Sequence, residues 1–278
     1  PGHSDFGGEV ERILSMADGC LLLVDAAEGC LPQTRFVLGK ALESKLTPII
    51  VVNKIDRHDA RPQDVLNEIY DLFIDLDADE DQLEFPVIYA IGREGIAKKN
   101  LEDESDSLMP LFEAIIESVP APRGDASAPL QMMISNLDYN DFVGRLSVGR
   151  IIAGTVKHNT DATLCTLEGE FKKFRISNLF AFEGLKRESV ESAAAGDIVA
   201  ISGIESPKIG ETIADAENPV ALPPLRVDEP TIAMNFAANV SPFAGRDGKY
   251  VTGRHLRDRL ARETLTNVAI RVEDAADP

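Results

Sequence analysis

The sequence predicts a multidomain protein: an α/β domain, then an antiparallel β-barrel, then the start of an α+β domain. Three observations predict this. Continuous apolar runs alternate with helix-period segments over residues 1–121, as in parallel sheets whose strands are joined by crossover helices. Short alternating runs broken by glycines fill residues 128–221, the pattern of a small antiparallel barrel. Two proline-containing joints, Val119–Pro129 and Pro219–Pro230, separate these stretches from each other and from residues 227–278.

The elements follow in order. Cys20-Leu-Leu-Leu-Val24, Pro48-Ile-Ile-Val-Val52 and Phe85–Ala90 are short enough for strands and apolar enough to be buried on both faces. Helix periods fall at about 6–16, 34–45, 62–75 and 108–118, and the alternation implies right-handed βαβ units. In the barrel, strands are expected around 146–152, 162–167 and 197–201. The last region offers a strand near 231–237, a helix near 253–264 and a strand near 267–273, a β-α-β start.

Composition narrows the function classes. A formal net charge of −19 argues against generic nucleic-acid binding, which needs clustered Lys and Arg to release counterions. No run approaches the ~18 apolar residues of a membrane span, and Pro1-Gly2-His3-Ser4-Asp5 lacks the order of a signal peptide, so a cytoplasmic protein without membrane contact is expected. Cys20, Cys30 and Cys165 are widely spaced and odd in number, which suggests neither a disulfide framework nor a zinc site.

The strongest chemical signal is Asn53-Lys54-Ile55-Asp56, directly after the second apolar run. Ligands of open α/β sheets sit at the carboxyl ends of strands. Guanine presents a ring N–H and an exocyclic amino group that one carboxylate accepts together, and Asp56 supplies such an acceptor; adenine has no matching pair of donors. A buried polar group left unpaired costs ~1–3 kcal/mol, which rejects the wrong base. Lys54 is expected to lay its aliphatic stem along the base, and Asn53 to tie the loop to its neighbours.

A second signal, Pro1-Gly2-His3 followed by Asp5-Phe6-Gly7-Gly8-Glu9, resembles the second switch of the GTPases of translation. With Asn53-Lys54-Ile55-Asp56 fifty residues downstream, the chain is identified as a member of that family. Val24-Asp25-Ala26-Ala27-Glu28-Gly29 with Gln33-Thr34 is similar to it too, read here as a strand end, a glycine turn and a helix cap that mark kinship, not a direct role. Gln131–Tyr139, Ala195–Ile201, Val227–Thr231 and Ser241–Thr252 look like the BipA/TypA branch. Gly253 stands where that branch suggests Ser.

The resemblance implies an α/β P-loop-type GTPase domain over 1–121, a translation-factor β-barrel over 128–221 and a partial ferredoxin-like α+β domain over 227–278. It implies GTP/GDP and Mg²⁺ as cofactors, and hydrolysis of GTP as a switch in translation, stress adaptation or ribosome assembly. By the same carry-over, Gly2 binds the γ-phosphate through its amide and His3 positions the attacking water. The loop after Tyr89-Ala90 usually reads Ser-Ala; here it is Ile91-Gly92, so Gly92 keeps the backbone N–H that meets the base oxygen, and Ile91 removes a bracing hydroxyl. The expected partners are the ribosome, through its RNA and proteins, and guanine nucleotide, with the chain monomeric. Arg246 and Lys249, in a glycine-flanked loop, are the preferred RNA contacts, ahead of Lys172, Lys173 and Arg175. The arginines of 253–264 are read instead as i,i+4 ion pairs on a solvated face.

No Gly-x-x-x-x-Gly-Lys-Ser/Thr occurs in the 278 residues, and the chain starts without Met. Part of a longer protein is therefore expected, one whose phosphate loop, first switch and most Mg²⁺ ligands lie upstream, with no hydrolysis by these residues alone. Two alternatives stay open at this point: a translocase like elongation factor G, and a non-catalytic module that binds ribosome or protein.

Overall fold

A computed structural model describes residues 7–140, 142–184, 186–224, 233–238, 241–246, 248, 250–264 and 270–274. The chain divides into two compact units, Pro1–Pro122 and Arg123–Pro278.

In the first unit the order is α1 (Gly7–Leu14), β1 (Gly19–Asp25), α2 (Pro32–Glu43), β2 (Thr47–Asn53), α3 (Pro62–Asp75), the short α4 (Glu80–Leu83), β3 (Val87–Ile91), β4 (Ile96–Lys98) and α5 (Met109–Ser118). Proline opens α2, α3 and α5, where its missing N–H costs nothing and its fixed φ suits the helix. Asp79 and Gln82 form a reciprocal capping box on α4. The cap expected from Gln33-Thr34 is not made: Leu31 occupies the N-cap without a side-chain bond, because Pro32 starts the helix one turn earlier. Pro86, with no N–H to give, stays outside β3 and only its carbonyl joins the ladder, accepting from Ile50 N at 2.9 Å.

β1, β2 and β3 pair in parallel in the order β1-β2-β3-β4, as expected, and β4 adds an antiparallel edge that the sequence did not announce. On one face of the sheet, Leu22, Val24, Ile50 and Val52 pack under α2 and α3. The α3 residues Val65, Ile69, Leu72 and Phe73 are all buried, spaced i, i+4, i+7 and i+8 on one helical stripe. The opposite face, with Ile49, Val51, Ile88 and Ala97, is covered by α5 through Ala114. Leu21 and Leu23 of β1 do not enter that cluster. They are consequently 41% and 58% exposed, and β1 is buried on one face, not on both as its apolar run suggests.

The carboxyl ends of β1 and β2 are joined electrostatically. Asp25 Oδ1 accepts from the amides of Ala27 (2.8 Å) and Glu28 (3.3 Å), while Oδ2 meets Lys54 Nζ at 2.7 Å and Arg57 Nη1 at 3.3 Å. Burial pushes the Asp25 carboxyl up, but the Lys54 ammonium and the two amides outweigh it and hold the group down at about 2, against an ordinary value of 3.8.

The second unit holds β5 (Gln131–Met133), β6 (Asn136–Asn140), β7 (Gly144–Ala153), β8 (Thr155–Lys157), β9 (Asp161–Cys165), β10 (Phe171–Arg175), β11 (Asn178–Glu183), β12 (Lys186–Ser189), β13 (Ser192–Ala194), β14 (Ile198–Ser202), β15 (Thr212–Ala214) and α6 (Gly253–Glu263). All pairings are antiparallel. The path runs β10-β9-β15-β5-β7-β14-β11-β12, with β6 beside β7 and a separate β8–β13 ribbon. Val156 and Ala193 of that ribbon share the main core with Met132, Ile151, Leu164, Leu179, Val199 and Ile213, and Leu146, Val148 and Ala200 form a smaller cluster of their own.

β7 is the spine of the barrel. One edge pairs with β14, and the other pairs with β6 near its start and β5 near its end. Between those two partners the Met133 carbonyl closes on Gly149, where a Cβ would lie 1.8 Å from its oxygen. Glycine is required there by contact, not by dihedral preference.

Beyond the barrel, α6 forms with Thr252 accepting from His255 N at 3.4 Å. Two of the expected i,i+4 ion pairs are present, Arg254–Asp258 at 3.9 Å and Arg259–Glu263. The two strands expected around α6 fall partly outside the described residues, and the described parts, 233–238 and 270–274, carry no strand.

Two stability outcomes follow. Gly149→Ala is expected to destabilise the second unit by about 3 kcal/mol, the upper range of overpacking, while Gly253→Ala, which meets nothing within 4 Å, does not; chemical denaturation of both variants checks this. Asp25→Asn is expected to cost the first unit about 1–2 kcal/mol at pH 7. Because the folded carboxyl titrates near 2 and the unfolded one near 3.8, the stabilisation by Asp25 is complete above about pH 4 and is lost as pH falls through 2. Denaturation of wild type and variant from pH 7 to low pH should show the two curves converging.

Candidate base-binding site

The residues expected to grip a base come together at the carboxyl ends of the parallel strands. β2 ends at Asn53, and register places Asn53 beside Asp25 of β1 and Ala90 of β3. Asn53 Oδ1 accepts two amides, Lys54 N at 2.8 Å and Gly92 N at 2.9 Å. One side chain thus fixes its own loop and the loop after β3. Backbone bonds from Ile55 N to Ala90 O (3.3 Å) and from Ala26 N to Asn53 O (2.8 Å) complete the link.

Lys54 sits at φ 62°, a left-handed conformation that costs a non-glycine residue about 1 kcal/mol or more. It turns the Lys54 amide back onto Asn53. The ammonium is anchored on Asp25, and the side chain is 56% exposed. Asp56 Oδ2 pairs with Arg93 Nη2 at 3.0 Å, its side chain 24% exposed.

The resemblance assigns the Gly92 N–H to the base oxygen; in the structure that N–H donates to Asn53 Oδ1 at 2.9 Å, so Gly92 ties two loops. A Cβ at position 92 would stand 3.2 Å from both terminal atoms of the Asn53 side chain, tighter than ordinary contact, which glycine avoids. Gly2 and His3 lie outside the described residues.

Sequence reasoning missed two participants. Asp25 was read as a strand end without a direct role, whereas it anchors Lys54 and Arg57. The signal was present: Val24-Asp25 and Val52-Asn53 end adjacent apolar runs in the same way. Arg93, next to Gly92, was not singled out at all.

The site is an open shelf. A cleft of about 380 Å³ in the same unit is lined by Lys98, Lys99, Asp103, Glu104, Pro110 and Glu113, none of them a base-site residue. Among the described residues no group of three or more His, Cys, Asp or Glu is placed to hold a metal ion, and no helix is long and apolar enough to cross a membrane.

The basic candidates are separately engaged. Arg246 lies over the Phe243 ring, 4.7 Å from its centroid, a cation–π contact, and Lys249 is outside the described residues. On the exposed strand β10, Lys172 pairs with Glu170 at 2.9 Å and Arg175 bonds Asn159 at 2.8 Å.

Known proteins resemble the chain along its whole length. Residues 1–121 match the Elongation factor Tu GTP binding domain, and residues 129–216 match Elongation factor G domain 2. The chain is 53% identical over 278 residues to the large ribosomal subunit assembly factor BipA of Bacillus subtilis, covering 100% of this chain and 45% of that protein. Proteins of the same name from Synechocystis and from Escherichia coli K12 are 54% identical over 274 residues and 49% over 277. Coverage there is 99% and 100% of this chain, and 46% of each relative, so the chain spans about half the length of the curated relatives it matches. With an Elongation factor Tu GTP binding domain match, an Elongation factor G domain 2 match after it and half-identical relatives along its whole length, the chain belongs to the BipA-type family of translational GTPases.

Proposed function

We propose that the protein containing this chain is a ribosome-associated GTPase that converts GTP to GDP and phosphate as a switch in translation, stress adaptation or assembly of the large ribosomal subunit. The observation that carries the reading is Asn53 Oδ1 holding the amides of both Lys54 and Gly92, which presents Asp56 at the strand ends as a fixed acceptor. Preorganisation of this kind lowers the ordering cost of binding. The half-identical relatives named as assembly factors support the same process.

In this reading the Asp56 carboxylate accepts the ring N–H and amino group of guanine, Lys54 covers one face of the base with its stem, and Asn53 with Gly92 joins the loops. Gly2 would meet the γ-phosphate and His3 would orient the attacking water, since phosphoryl transfer is governed by positioning and charge stabilisation. GTP or GDP with Mg²⁺ supplies the reacting phosphates and their neutralisation. The division into a nucleotide domain over 1–121, a barrel over 128–221 and a third domain from 227 is part of the proposal. So are a cytoplasmic, monomeric protein and ribosomal RNA contact through Arg246 and Lys249.

Asp56→Asn in the full-length protein is expected to weaken GDP binding at least tenfold and to favour xanthosine diphosphate, whose carbonyl accepts from the new amide. Unchanged GDP affinity in a titration with both nucleotides would remove Asp56 from the base site. His3→Ala is expected to leave GTP binding within a few fold while abolishing most ribosome-stimulated hydrolysis; single-turnover assays with ribosomes separate the two effects, and a loss of binding with normal turnover contradicts the role.

A further inference from the structure

We propose that Arg93 is a built-in competitor for the base-binding carboxylate, a residue that sets how tightly and how fast guanine is held. The inference deepens the base-site reading above and rests on the assignment of Asp56 to the base. Asp56 has two oxygens, and a guanine held by both its ring N–H and its amino group needs both. In the structure Oδ2 is taken by Arg93 Nη2 at 3.0 Å. A guanidinium presents parallel N–H donors much as the guanine edge does, so the two are chemical rivals for one acceptor.

The position of Arg93 is not accidental to the loop. It follows Gly92, whose amide is fixed on Asn53, and it lies inside a single 3-10 turn, Gly92–Glu94, closed by Gly95 at φ 70°. The backbone that organises the base site therefore also aims the competitor. The side chain is 73% exposed, so it can swing away without unfolding anything. It also has somewhere to go: Arg93 Nη2 already reaches Glu94 Oε1 at 3.2 Å. Binding of the base exchanges the Asp56–Arg93 pair for two base hydrogen bonds while Arg93 retains Glu94. The consequence is a weaker nucleotide complex than Asp56 alone would make, with an empty state in which the carboxylate is never left unpaired.

The test uses the full-length protein and fluorescent N-methylanthraniloyl-GDP, comparing wild type, Arg93→Gln and Asp56→Asn over a range of ionic strength. Removing an exposed ion pair that must be broken on binding is expected to tighten the Kd of Arg93→Gln by about two- to fivefold at low salt. The ratio to wild type should shrink toward one near ~1 M salt, where screening has already weakened the pair. A merely structural Arg93 would give no such salt-dependent ratio. Equal or weaker binding by Arg93→Gln, with Asp56→Asn defective, overturns the competitor role and leaves the base site standing. Wild-type GDP binding by Asp56→Asn overturns the base assignment and the competitor with it.

Discussion

The parallel register of β1, β2 and β3 is the constraint on which the proposed base site depends. It sets Asp25, Asn53 and Ala90 in one row at the carboxyl end of the sheet, and no loop there is long enough to wander from it. From that row each loop inherits a fixed starting point, so single side chains suffice to join them. Asn53 reaches across to Gly92 and Asp25 reaches across to Lys54. Displacing any strand by one residue would turn these side chains to the opposite faces of the sheet and dismantle the site.

The register is itself held by packing on two faces. Ile50 and Val52 point into the core beneath α2 and α3, while Ile49 and Val51 point into the one beneath α5. β2 is thus the strand with least freedom, and it is the strand that carries the proposed base loop. A site that requires sub-ångström placement of a carboxylate is best mounted on such an element. The left-handed Lys54 shows the local cost of that placement, offset by the surrounding hydrogen bonds.

Much of this was legible in the residues. Apolar runs located β1, β2 and β3 to within a residue or two, because a strand covered by helices must be continuously apolar. The Asn53–Asp56 loop was legible because its placement after a buried run narrows what such residues do. What escaped was set by tertiary pairing. β4 is three residues long and carries too little pattern to announce itself. The exposure of Leu21 and Leu23 depends on what packs beside β1, which periodicity within β1 cannot encode. The Gly92 amide was assigned outward because its competitor, Asn53 Oδ1, lies thirty-nine positions away in sequence. Asp25 and Arg93 were missed for the same reason, since their partners are defined only once strands are neighbours.

β7 has a consequence for how the barrel comes apart. Its residues enter two separate cores, Ile151 in the main interior and Leu146 with Val148 in the smaller cluster beside Ala200. Its two edges hold β14, β6 and β5 together. Parting β7 from β14 takes a wall from both clusters, whereas parting it from β5 and β6 opens the main interior and leaves the smaller cluster, shared with Ala200 of β14 and Phe180 of β11, whole. The β5 and β6 edge is therefore the side on which the barrel is expected to open first, with β7 and β14 holding together as the block whose amides exchange last.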